Sequence, residues 1–184
     1  MKKLIALLMV LMMCLPAMAE TPAEPDAAEL LSPFVFTLPE GVRAQMIPGN
    51  TSVTYVHANG TTRAVASVIS RVPDPEGDHA AELRQLMELF APRGESYTPL
   101  ALEPGFHGLM ALIPDALEGL QDTKVDQITV MVLWQTETRG ELLILSAYDL
   151  DGVADNAQAL LTMLLRNAAV EGVPVVEPLE AAQE

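Results

Sequence analysis

The sequence predicts an α+β domain: an antiparallel β-sheet with helices packed against it, in an α/β/α sandwich-like arrangement. Three observations carry this. Alternating runs flank turn residues, as Val53–His57 and residues 62–69 flank Asn59-Gly60. Two longer runs, 125–136 and 141–148, are apolar on both faces and so need cover on both sides. Two segments, after Asp78 and after Asp151, carry apolar residues at helical spacing and can supply that cover. Hairpins with few helices favour α+β over the alternative, a β-sandwich.

The chain opens on Lys2 and Lys3, an apolar run over 4–15, Pro16, and Ala17-Met18-Ala19 before Glu20. A positive start, an apolar middle and small residues at −3 and −1 predict a cleavable secretory signal peptide of bacterial type over 1–19. The run is shorter than the roughly 20 residues of a membrane span. No later segment approaches that length, so the mature chain is expected to lack a transmembrane segment. Met13 stands where a lipoprotein leader needs a small residue, so Cys14 is expected to leave with the leader. The mature domain is then cysteine-free, without disulfides, thiol catalysis or thiolate metal sites. Residues 20–32, rich in Pro, Ala and acids, predict a flexible tether. Residues 171–184, with two prolines and four glutamates, predict an acidic disordered tail. Between them, 33–170 is expected to form a single domain, long enough to be stable on an ordinary core.

Phe34 to Leu38 alternates as a strand and stops at Pro39-Glu40-Gly41; a second strand covers 42–47. Asn59-Gly60 predicts a type I′ hairpin turn that places Tyr55 opposite Ala64 and Val53 opposite Ala66. Asp78 is a suitable N-cap for a helix with Leu83, Leu86, Met87 and Phe90 on one stripe, ended by Pro92 and Gly94. Strands are expected over 97–102 and 106–113, with a loop over 114–122. In the long hairpin, Ile128, Val130, Val132 and Trp134 share one face, and Met131 and Leu133 the other. Leu143, Leu145 and Ala147 alternate with Leu142, Ile144 and Tyr148. The last helix is expected over 152–169, capped by Asp151, with Val153, Ala157, Leu160, Leu161, Leu164, Leu165 and Ala168 on its stripe.

This order, with its F-x-F-x-L-P-E-G opening at Phe34 to Gly41, resembles the PsbP-like fold of small exported α/β/α domains. The resemblance covers roughly 33–169 and rests on element order and on Leu38-Pro39-Glu40-Gly41. It brings no catalytic or ligand-binding residue with it. It implies an accessory role in assembly or binding.

Without the leader, 8 basic residues face 25 acidic ones, a formal charge of −17. Such a field repels nucleic acid and anionic membrane surfaces. Chemistry is sparse. There is no G-x-S-x-G elbow and no histidine pair at zinc-motif spacing. Among His57, His79 and His107, His107 is the candidate base, because Gly105 and Gly108 beside it permit close approach of a ligand. Asp149, Asp151 and Asp155 resemble half of a calcium loop, without the bidentate glutamate such a loop requires. Asp151 also reads as a cap and Asp155 as a first-turn acid. No cofactor is implied. The expectation is a non-enzymatic extracytoplasmic protein, periplasmic rather than fully secreted, that binds or helps assemble a protein partner in the cell envelope. The alternatives are a small-ligand or cation-binding module, and a hydrolase using His107 with nearby carboxylates.

Overall fold

The computed structural model describes residues 26–176. The expected signal peptide, the first part of the tether and the end of the tail lie outside the described residues. The elements are α1 (Ala27–Leu31), β1 (Phe34–Phe36), β2 (Val42–Met46), β3 (Val53–His57), β4 (Thr62–Arg71), α2 (His79–Phe90), β5 (Glu95–Pro99), β6 (Phe106–Glu118), β7 (Lys124–Gln135), β8 (Gly140–Asp149), α3 (Ala154–Arg166), β9 (Ala168–Val170) and β10 (Val173–Pro174). A seven-stranded sheet runs in the order β2-β3-β4-β8-β7-β6-β5 with every neighbour antiparallel. The fold is α+β with no closed barrel.

The long hairpin β7–β8 sits near the middle of the sheet, where both its faces are covered. One face presents Ile128, Val130, Val132, Trp134, Leu143, Leu145 and Ala147 to α3, whose Ala157, Leu160, Leu161, Leu164 and Leu165 are all buried there. The other presents Met131, Leu133, Leu142 and Ile144 to Leu83, Met87 and Ala91 at α2. Phe90, placed on the same stripe from its spacing, instead lies exposed at the end of α2. Burying a residue such as Leu164 contributes about 1.5–3 kcal/mol, so these two layers fix the sheet between them. Asp78 caps α2 as its position suggests, its side chain accepting from Ala81 N at 3.1 Å.

The β3–β4 hairpin has the expected register, Tyr55 opposite Ala64 and Val53 opposite Ala66, but not the expected turn. A type I′ turn needs positive φ at both central residues, and here only Gly60 has it (φ +79). His57 O accepts from Gly60 N, and the Asn59 side chain accepts from Thr61 N and Thr62 N. The loop is thus four residues instead of two. Both loops are centred on the same bond, which is why the register survives.

Several boundaries move. β5 begins and ends earlier than expected, at Glu95–Pro99. β6 runs on to Glu118, into the segment expected as a loop, with a register shift between Ile113 and Leu117. Val153, not Asp151, occupies the N-cap of α3, and it makes no side-chain cap bond. The stripe that suggested one helix to residue 169 breaks at Asn167, and Ala168–Val170 leaves as β9. There it pairs with β1 on one side and β10 on the other, a small second sheet. Ordered structure also exceeds the expected limits of 33 and 170. Asp26 accepts from Glu29 N to cap α1, which buries Leu31. Val175 is buried, and its backbone bonds to Ala168 and to Glu103.

Candidate functional site

His107 lies at the start of β6, exposed, directly opposite Leu133. Its neighbour is a second histidine: the rings of His79 and His107 lie with centroids 4.4 Å apart, tilted by 50°. Burial, and then the charge of His79, hold the His107 imidazole below its ordinary pKa. His79 is buried in the first turn of α2, with Nε2 2.8 Å from the Gln135 side-chain nitrogen. Its Nδ1 is 3.8 Å from Glu82, whose carboxylate pairs with Arg71. His107 itself makes no hydrogen bond to a carboxylate among the described residues. The glycines that suggested ligand access have a packing explanation at Gly108: a Cβ there would meet Leu102 Cδ1 at 2.6 Å and Leu100 Cβ at 3.0 Å.

Of the three aspartates at the start of the last helix, Asp149 is a buried internal acceptor. It takes hydrogen bonds from the Thr62 hydroxyl, from Asp151 N at 2.8 Å, from Asn156 Nδ2 at 3.0 Å and from the Thr61 hydroxyl at 3.5 Å. Burial pushes its carboxyl up, but these donors together outweigh it and leave the pKa below the ordinary value. Asp151 and Asp155 are exposed and do not converge with it. Among the described residues no group of three or more histidines or carboxylates is placed to hold a metal ion.

The feature with room for another molecule lies at the opposite edge of the sheet. Among the described residues β2 is the terminal strand and pairs with β3 alone. Beside it, α1 and β1 leave a cavity of about 170 Å³ lined by residues including Leu31, Phe34, Phe36, Ala44 and Tyr55. A second, of about 250 Å³, is lined by Leu30, Met46, Ile47, Pro48 and the turn that follows. The Phe36 and Tyr55 rings, 5.5 Å apart, form part of the floor, and burial raises the Tyr55 phenol well above its ordinary pKa, so it stays neutral. The rim is apolar and open to solvent: Val35 is 59 % exposed, Ile47 62 %, Met46 42 % and Leu38 39 %. Val35 and Leu38 line the first cavity, and Met46 and Ile47 the second.

Sequence reasoning placed these residues on strands and missed the patch. Val35 alternates with two phenylalanines that are turned inward, and Ile47 directly precedes Pro48-Gly49; both were legible as outward-facing. The pairing of β1 with β9, which builds one wall, was not.

No protein-family model matches this sequence, and no curated protein matches it. Among solved structures the chain is similar to LpqN of Mycobacterium tuberculosis, described as involved in cell envelope biogenesis. The TM-score is 0.54 at 11 % identity, over 74 % of this chain and 82 % of that one. At that identity the likeness is one of fold. The element order that resembles the PsbP-like fold therefore finds a coarser counterpart, the fold of LpqN. No helix among the described residues is long and apolar enough to cross a membrane.

Proposed function

We propose that this protein is a non-enzymatic, envelope-associated factor that binds or helps assemble another extracytoplasmic protein, acting from the periplasmic side. In this reading residues 1–19 are the export signal and the single α+β unit is the binding body. The observation that carries it is the open apolar patch of Val35, Leu38, Met46 and Ile47 over the groove at the β2 edge. The fold likeness to LpqN, a protein involved in cell envelope biogenesis, is consistent with it. A hydrolase built on His107 gains no comparable support, because the group beside that imidazole is another imidazole.

The test is affinity capture from a solubilised envelope extract, with the protein expressed from its complete chain as bait. A double variant, Val35→Asp with Ile47→Asp, serves as control. Both positions are exposed, so the variant should keep its melting temperature. One reproducible protein retained by the parent and lost by the variant is the expected result. An empty capture, or one indifferent to the variant, rejects the reading.

A further inference from the structure

The charge of this protein is unevenly distributed. Among its 25 acidic residues none falls between Gly41 and Pro73, a stretch that holds β2, β3 and β4 and carries Arg43, Arg63 and Arg71. The three strands at this end of the sheet thus carry arginines and no acidic residue.

Cross-strand register shows how that edge is built. Arg43 lies opposite Val56, Val56 opposite Arg63, and Arg63 opposite Tyr148, so these four side chains form one row on the α2 side of the sheet. The helix α2 packs on β6 and β7 and leaves Arg43 and Gln45 of β2 exposed. Arg71 is committed to Glu82. Arg43 and Arg63 enter no ion pair among the described residues, and the Arg63 Nε is buried without a hydrogen-bond partner. A hollow of about 410 Å³, lined by Arg43, Val56 and His57 among others, opens beside them.

On the other face of the same strand, Ala44 and Met46 look toward the apolar groove. Among the described residues β2 therefore presents an unpaired backbone edge, a flank carrying Arg43 and an apolar flank. An extended peptide added to a sheet edge turns alternate side chains to opposite faces. A peptide alternating acidic with apolar residues matches both flanks at once. We propose that β2 accepts such a segment of an envelope protein as an eighth strand, its acidic side chains beside Arg43 and its apolar ones over the groove rimmed by Val35 and Met46. This rests on the binding role proposed above and names the partner's chemistry.

The test uses the protein expressed from its complete chain and three fluorescent probes: a ten-residue peptide alternating Val and Glu, a block isomer of the same composition, and the alternating peptide N-methylated at every second residue. The alternating peptide should bind, and slow hydrogen exchange at β2 amides. The block and N-methylated peptides should bind at least about tenfold more weakly, since one loses the facing pattern and the other the backbone pairing. Arg43→Glu, an exposed change that leaves the fold intact, should cost about tenfold and weaken the salt dependence. Equal binding of all three probes, protection away from β2, or no binding of the alternating peptide overturns the proposal. If envelope capture yields a partner that Arg43→Glu does not release, the strand-addition model is wrong while the binding role stands. If capture is empty as well, both are wrong.

Discussion

Removing the carboxylate of Asp149 should be among the most costly single changes in this protein. The side chain is 1 % exposed, as is that of Thr62, one of its donors. Asp149→Ala removes the acceptor of the buried Thr62 hydroxyl, of the Asp151 amide and of the Asn156 side-chain amide. Hydrogen bonds to a charged group are worth about 1.5–3 kcal/mol each. Three donors that share one acceptor are not additive, so about 4 kcal/mol is expected, near the limit for single substitutions. At about 2–4 °C per kcal/mol for a domain of this size, that is a drop of about 8–16 °C in melting temperature. The pH dependence follows from the depressed pKa. The stabilisation is complete above the unfolded value of about 3.9 and is lost as pH falls through the folded one. Urea unfolding of the parent and of Asp149→Asn at pH 7, 5 and 3 should show a gap that narrows only below about pH 4. Calcium should leave the melting temperature of the parent unmoved, because the carboxylate is already filled with protein donors. A loss below about 1 kcal/mol for Asp149→Ala, a gap constant with pH, or a calcium-dependent rise would refute this account of the cluster.

Other outcomes follow from the packing. Leu164→Ala, in the layer between α3 and the sheet, should cost about 2–5 kcal/mol by chemical denaturation; a loss below 1 kcal/mol would mean the layer collapses around the gap. Gly119→Ala should destabilise by more than about 2 kcal/mol, because its Cβ would sit 2.3 Å from Leu150 O and 2.5 Å from Val125 Cγ2; a neutral thermal shift would show that this turn yields. By NMR, His107 should titrate below the ordinary value of about 6.5 and move upward in His79→Asn. Because the protonated form is disfavoured in the fold, this group should lower stability as pH falls from about 6.5 through its folded pKa. An unmoved titration in the variant would remove His79 as a contributing cause.

The sequence by itself determined the strands of the two main hairpins, their faces and the two helices that cover them. Met131 and Leu133 had to face one layer and Val130 and Val132 the other, because strand side chains alternate with a period of two. The position of Asn59-Gly60 centred the hairpin, and even a different turn kept Tyr55 opposite Ala64. Asp78 marked the start of α2 through a contact only three residues long. What only the tertiary structure decided are contacts between distant segments. Phe34 pairs with Val170, His79 lies against His107, and Thr62 reaches Asp149. Leu31 and Val175, in stretches whose composition suggested disorder, are held by a groove wall and a small sheet made elsewhere in the chain. The open patch at β2 belongs to this second kind. Val35 and Ile47 are ordinary strand-end residues in sequence, and become a surface only because α1, β1 and β9 close beside them and the sheet stops there. Local spacing sets which way a side chain points, but what it then meets depends on which distant segments fold against it.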